Sequence, residues 1–248
     1  MKIGFVGTFA SLKPELFLPH ADFVISGEAE NFFLKNKNFD PGVLKGAISA
    51  GTVENLDELP FPDWELFDYR KYFYFPTLKN RPFLPVLSSR GCVFSCGHYC
   101  PYPLVAGRIW RVRSVENVAD EIAYLSEKFG ARAILFRDPI FTFDKERAAN
   151  LAREIIARKI KIEWACETRL DFLDEKLIDL FYEAGLRGLN VGIESSSEDV
   201  LGAARRKPIE KNYQEKIIGY CLKKRRQNFR LLYHRSAGRH GKNCSPNH

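Results

Sequence analysis

Apolar positions recur along this chain with two periods, one of two residues and one near 3.6, and the two take turns. Leu84–Leu87 is a short apolar run that leads into Ser88-Ser89-Arg90-Gly91-Cys92. Over 115–129, Val118, Ile122, Leu125 and Phe129 share one helical face, with Ser114 placed to cap the start and Gly130 the end. Ala133–Phe136 reads as the next strand. Asp144 opens a helix bearing Ala148, Leu151, Ile155 and Ile156, and Ile162, Trp164 and Cys166 then alternate as a strand. Asp174 opens a helix with Leu177, Ile178, Phe181 and Ala184, stopped by Gly185. Leu189, Val191 and Ile193 make a fourth strand, and a helix over 210–224 carries Tyr213, Ile217, Ile218 and Cys221. Strands alternating with helices of these lengths predict an α/β fold of right-handed βα units around a curved or closed parallel sheet. Such sheets place their chemistry at the C-terminal ends of the strands. Cys92, Asp138, Arg169 and Glu194 all fall there.

The chain before residue 84 is patterned differently. Ile3–Val6 and Ala21–Ile25 read as strands, 12–18 as a short helix, and a further helix begins near Glu30. Two strand–helix units suggest a piece of an open α/β sheet, too small to close a core, so 1–54 is expected to be part of a domain. Residues 55–83 are punctuated by proline, acidic at first and then aromatic-rich, which reads as a packed linker. The βα core is expected over 84–224, and after Lys224 the alternation is expected to stop where another strand is due.

Composition narrows the class. With 248 residues, 45% hydrophobic and 13% aromatic, the chain has material for a real core and is not disordered. The N-terminus MKIGFVGTF has no signal-peptide pattern and no apolar stretch is long enough to span a bilayer, so the expected location is the cytoplasm, with no membrane partner. The net charge is +7, yet residues 221–248 hold eight Lys or Arg and no acid; removing these leaves −1 for the rest. A near-neutral body with a short basic end reads as a solvated tail rather than a nucleic-acid surface.

Six cysteines without a secretion signal point to metal or catalytic use. Cys92, Cys96 and Cys100 sit together in RGCVFSCGHYCPYPL. Three thiolates suit a [4Fe–4S] cluster and leave one iron open. A zinc site with His98 as fourth ligand competes, although structural zinc usually draws two separated pairs and Cys166, Cys221 and Cys244 are scattered. Ordinary buried cysteines are the third reading, and spacing alone leaves all three open.

The surrounding motifs carry a resemblance. The cysteine segment, Tyr102-Pro103-Leu104 with Gly107-Arg108, Arg113-Ser114 with Glu116-Asn117-Val118, Phe136-Arg137-Asp138-Pro139-Ile140-Phe141, Gly192-Ile193-Glu194-Ser195 and the linker Leu59-Pro60-Phe61-Pro62-Asp63 are similar to the radical S-adenosylmethionine (SAM) superfamily. More narrowly, they resemble members that carry an N-terminal cobalamin-binding domain. The family's cysteine gaps are three residues and then two; here both are three. The resemblance implies a partial parallel (β/α) barrel of the radical SAM type preceded by a remnant of a Rossmann-like cobalamin-binding domain. It implies metal ligands Cys92, Cys96 and Cys100, an open iron that chelates SAM, and an electron donor such as flavodoxin or ferredoxin. Reduction would then cleave SAM to methionine and a 5′-deoxyadenosyl radical that acts on an unknown substrate. Tyr99 resembles the aromatic near the SAM adenine, with core packing as its alternative. Asp138 resembles the contact to the SAM amino group, or caps a turn. Arg169 pairs with the SAM carboxylate or with a surface acid. Glu194 and Ser195 stand where the family contacts ribose hydroxyls and the methionine end. Gly7-Thr8 and Gly27-Glu28 resemble later loops of a cobalamin domain, but the DxHxxG cobalt-ligand motif and the earlier half of that domain are absent, so cobalamin is not expected to bind.

Two alternatives accompany this reading: an inactive fragment of such an enzyme, and a zinc or iron–sulfur binding protein whose basic tail contacts nucleic acid. The tail from about Arg225 is further expected to be translated out of frame. With permitted codons and one adenine skipped at Lys223-Lys224-Arg225, the next frame reads KKGVKISGFYIIGLPGDTEKTVRQT. That string is a helix end, a glycine stop, an apolar strand and a Gly-Pro turn, in the order a βα barrel requires.

Overall fold

The structure is a computed structural model, and it describes residues 2–96, 100, 102, 107–224 and 229–235. Tyr99, His98, the segment 103–106 and most of the basic tail lie outside the described residues.

The larger unit is a five-stranded parallel sheet built from β4 (Phe83–Val86), β7 (Ala133–Phe136), β8 (Glu163–Thr168), β9 (Leu186–Glu194) and β10 (Arg230–Arg235), side by side in chain order. When strand order equals chain order and every crossover is right-handed, all helices fall on one face of the parallel sheet. The helices are α4 (Val115–Phe129), α5 (Lys145–Ala157), α6 (Glu175–Glu183), α7 (Glu198–Ala203) and α8 (Lys211–Lys224). Their starts are capped as the sequence predicts: Ser114 Oγ accepts from Asn117 N–H at 3.1 Å, Asp144 Oδ1 from Arg147 N–H at 3.0 Å and Asp174 Oδ1 from Leu177 N–H at 2.9 Å. Gly130 ends α4 with φ +63°, the left-handed conformation that glycine adopts without strain.

The period-two pattern divides the sheet. Leu84, Val86, Ile134, Phe136, Trp164, Cys166, Leu189 and Val191 face the helices in one continuous core. Ala133, Leu135 and Ala165 face the other way, where Leu78 from the preceding segment is buried against them. The segment 55–83 thus changes sides: of its 3-10 turns at Leu56–Glu58, Trp64–Leu66 and Tyr69–Lys71, the last two pack in the helix-side core, Tyr69 against Phe129 of α4, and only its end, at Tyr74 and Leu78, reaches the concave face. Gly188 is where it comes closest: a Cβ there would overlap the Thr77 methyl.

One expectation is corrected here. The alternation does not stop at Lys224, because β10 pairs in parallel with β9. Leu231 and Leu232 supply its apolar positions, Phe229 is buried just before it, and buried Ile217 and Cys221 on α8 carry the crossover. The many arginines around these residues obscure the period in the sequence.

The N-terminal unit is a three-stranded parallel sheet of β1 (Gly4–Phe5), β2 (Phe23–Gly27) and β3 (Gly46–Gly51), in that order. The third strand, GAISAG, escapes sequence reading because small residues and flanking glycines carry almost no strand signal. The single helix expected over 12–18 is two short ones, α1 (Thr8–Leu12) and α2 (Pro14–Phe17), broken at Lys13 because Pro14 drives its predecessor out of helical geometry. A third helix, α3 (Ala29–Lys35), follows β2.

Candidate functional site

The cysteine segment hangs from a two-stranded antiparallel ladder, β5 (Ser89–Arg90) paired with β6 (Arg111–Val112), so the loop 91–110 leaves and returns at one place. Gly91 makes this possible: its φ is +95°, and a Cβ there would overlap the Ile109 carbonyl oxygen. Cys92 N–H donates to Gly107 O at 3.0 Å, extending the closure by one step. The ladder is tied to the N-terminal unit by Glu28, which accepts from Arg111. Burial alone would raise the Glu28 carboxyl, but hydrogen bonds from Arg111 and Val53 N–H and the charges of Arg90 and Arg111 hold it below its ordinary value.

Cys92, Cys96 and Cys100 line one cavity of about 210 Å³ at the C-terminal ends of β8 and β9. All three are free thiols, as are Cys166 and Cys221, which are buried elsewhere. Burial pushes the Cys92 thiol up; the Phe94 N–H offsets part of this, and the neighbouring Cys100 and Cys96 raise it further. Burial likewise raises Cys100, against the Tyr102 N–H, with Cys96 adding to the rise and Arg206 opposing it. Three thiols that feel one another across one cavity are suited to a cation that takes them as thiolates. Among the described residues no three His, Cys, Asp or Glu converge as a site for a single ion would require. A cluster, by contrast, takes each thiolate on a different iron.

Arg169, just past β8, is 4% exposed and lines the same cavity. Its Nε and Nη2 fork onto Asp171 at 2.9 and 2.8 Å, and its guanidinium carbon lies 5.0 Å from the Phe94 ring centre. Its Nη1 is buried with no hydrogen-bond partner among the described residues. The ion pair considered from sequence therefore forms, with Asp171, but its surface location is corrected: the guanidinium is buried. Glu194 also lines the cavity, at φ +65° and 3.6 Å from Arg206 Nη1.

Asp138 is a correction. It is fully buried and does not line the cavity; Ser88 N–H and Oγ donate to it at 3.1 and 2.8 Å and Ser89 Oγ at 2.5 Å. Burial raises its carboxyl, opposed by those three hydrogen bonds and by Arg147. It fastens the end of β7 to the entry of the ladder, which is the turn-capping role. Ser195 is not on the cavity wall either: its Oγ accepts from Ser197 N–H at 3.1 Å. Tyr99 lies outside the described residues.

The sequence reading gave no site role to Tyr102, which it used only as part of a motif, nor to Glu167, Asn190 and Arg206, all of which line the cavity. Glu167 and Asn190 are register partners on β8 and β9. Each stands two residues beyond a concave-face position, Ala165 and Gly188, so alternation carried one step further would have found them. Tyr102 donates to Glu167 Oε2 at 3.0 Å, and Arg137 pairs with the other carboxylate oxygen. Burial and the Glu167 charge push the Tyr102 phenol up to about 12. Asn190 Nδ2 donates to Tyr74 Oη at 2.9 Å, while its Oδ1 is buried without a partner among the described residues.

The family model of the Radical SAM superfamily matches residues 86–234, from the end of β4 into β10. The chain belongs to the radical SAM superfamily. Among the relatives of this radical SAM chain is an uncharacterized methyltransferase of Pyrococcus horikoshii, 31% identical over 79% of this chain and 46% of that protein. Another is the anaerobic magnesium-protoporphyrin IX monomethyl ester cyclase of Rubrivivax gelatinosus, 28% identical over 79% of this chain and 38% of that protein. The chain thus spans less than half the length of either. In fold it is similar to the cobalamin-dependent SAM radical enzyme OxsB, solved with aqua-cobalamin and SAM bound, at TM-score 0.69 and 18% identity. That match covers 94% of this chain and 36% of OxsB. The methyltransferase TsrM of Kitasatospora setae matches at TM-score 0.56 and 23% identity, over 62% of this chain and 30% of TsrM.

Proposed function

We propose that this radical SAM chain binds one [4Fe–4S] cluster through Cys92, Cys96 and Cys100 and reductively cleaves SAM, acting on a substrate that the chain's residues leave unnamed. The observation that carries the reading is the cavity itself: three thiols and an arginine with one buried nitrogen that has no partner among the described residues line it, in a chain matched to the family over that region. When bound, the reduced cluster supplies the electron that splits the carbon–sulfur bond of SAM into methionine and a 5′-deoxyadenosyl radical. The rest falls to the protein. Arg169 offers Nη1 to the SAM carboxylate, a charge-assisted contact in a site withdrawn from water. Glu194 offers a carboxylate to the ribose hydroxyls. Phe94 and Ile140 wall the cavity and would keep water from SAM bound there. The electron comes from a donor of the flavodoxin or ferredoxin kind.

Anaerobic reconstitution with iron and sulfide, followed by dithionite and SAM, tests this. Broad visible absorbance with 5′-deoxyadenosine formation is the expected result; stoichiometric zinc with no cluster would overturn it. Cobalamin is not assigned to this chain, since the DxHxxG motif is missing. Equilibrium dialysis with hydroxocobalamin is expected to show no binding at micromolar concentration. Although β10 continues the alternation, the coherence of the shifted-frame string still supports a second proposal, that translation leaves its original frame near Arg225. Sequencing the gene through Lys223–Arg225 is expected to show an adenine run, and an immediate stop codon in the shifted frame would end the idea.

A further inference from the structure

Arg90 and Arg111 are direct cross-strand partners in the β5–β6 ladder. Opposed residues of an antiparallel pair project to the same face, and like charges so placed repel. Both side chains are largely withdrawn from solvent, 19% and 11% exposed, so water screens little of the repulsion. Yet this ladder closes the loop that carries all three cysteines.

The counter-charge comes from the other unit of the chain. Glu28, just past β2, receives Arg111 Nη2 on Oε1 at 2.7 Å and Arg111 Nη1 on Oε2 at 3.0 Å. Arg90 Nη1 stands 3.5 Å from the same Oε2. Val53 N–H, beyond the end of β3, also donates to Oε2 at 2.7 Å, which fixes the carboxylate to the N-terminal sheet. Glu30, in the first turn of α3, takes Arg90 Nη2 at 2.9 Å. Arg111 reaches further, to the Val53 carbonyl oxygen. Two carboxylates therefore face two guanidiniums, and Glu28 is the one that touches both.

We infer that Glu28 is a positioning residue for the cysteine loop: its carboxylate, held by the N-terminal unit, neutralises the Arg90–Arg111 pair and keeps closed the ladder from which the three cysteines hang. The N-terminal unit is thereby coupled to the cavity without lining it. Removing the charge leaves Arg90 with Glu30 and takes from Arg111 the carboxylate it forks onto, so that a partly buried cation stripped of that counter-charge stands opposite another, which opens the ladder rather than unfolds the sheet.

Hydrogen–deuterium exchange on the full chain tests this, read in peptides covering 88–93 and 107–113. In Glu28→Gln these amides are expected to exchange about tenfold faster or more, with the β7–β9 peptides unchanged. Glu28→Asp, which keeps the charge but is too short to hold both arginines, is expected to fall between. The double variant Glu28→Gln/Arg90→Gln relieves the repulsion and is expected to recover protection, an effect that mere loss of packing would not produce. Asp22→Asn loosens the start of β2, where Asp22 holds Lys2 and Ile3, and should leave the ladder closed. The inference is overturned if Glu28→Gln exchanges like the parent, if the double variant opens further than the single one, or if Asp22→Asn opens the ladder equally. Chelator-driven iron release from the reconstituted chain, expected to quicken about tenfold in Glu28→Gln, rests in addition on the cluster reading. A chain that takes up no iron fails that reading, while the exchange result still decides the role of Glu28.

Discussion

The helix-facing side of the main sheet and the cysteine loop are two solutions to holding a chain in place. The sheet side is held by burial. Trp164, Phe136, Phe141 and Phe181 pack ring on ring, with Trp164 to Phe181 at 5.2 Å and Phe136 to Phe141 at 4.5 Å. The described part of the loop contains no strand between β5 and β6 and a single helical residue, Tyr102, and polar ties hold it: Glu28 on the ladder at its ends and Glu167 on Tyr102 midway. A segment that must present thiols to a cavity cannot bury them all in a core, so charged groups from elsewhere in the chain fix its path. Damage to the two regions should therefore read out differently, one as lost stability and the other as lost metal.

The largest effect is expected for the ligands. Cys92→Ala, Cys96→Ala and Cys100→Ala should each reduce iron and sulfide in the reconstituted chain to background, while Cys166→Ala and Cys221→Ala retain them. Full iron loading in Cys100→Ala would remove it as the third ligand. Next, Trp164→Ala should cost about 3–5 kcal/mol in denaturant unfolding, since it empties a buried site and leaves the Ala184 carbonyl without its indole donor. Its folded fraction should still load iron. Gly91→Ala should do the reverse, losing most of the iron with little change in the unfolding midpoint, because the strain falls on the loop alone. Equal losses of both properties in either variant would break the contrast.

A smaller effect should appear at alkaline pH. Burial holds the Cys166 thiol well above its ordinary value and pushes Cys221 up to about 12. In the unfolded chain both ionise near about pH 8.5, so there the unfolded state binds fewer protons and stability falls as pH rises. Below that pH both states are protonated and the contribution is flat. Each thiol should steepen the decline by up to about 1.4 kcal/mol per pH unit, and urea midpoints between pH 7.5 and 10 should show a shallower slope in Cys166→Ala. The smallest effect is at a cap: Ser114→Ala should cost about 1 kcal/mol by removing the acceptor for Asn117 N–H, with no change in iron content.

The βα alternation from Phe83 to Lys224, the caps at Ser114, Asp144 and Asp174, and the cysteine cluster are all legible in the sequence. Each is set by neighbours within a few positions, through hydrophobic period, capping chemistry or short spacing. β3 and β10 were not legible, because small residues in one and flanking arginines in the other hide an apolar period that only pairing with β2 and β9 completes. The fates of Asp138 and Arg169 were not legible either. Both lie just past a strand, where a site was expected, yet one is spent on Ser88 and Ser89 and the other lines the thiol cavity with a buried donor that has no partner among the described residues. Glu167 and Asn190 meet across β8 and β9 only because two strands adopt one register, and Glu28 meets Arg111 across 83 residues of chain. Local interactions determined the elements; partners distant in sequence decided which polar groups are satisfied and which remain open to a ligand, since that depends on what folding brings within about 3 Å.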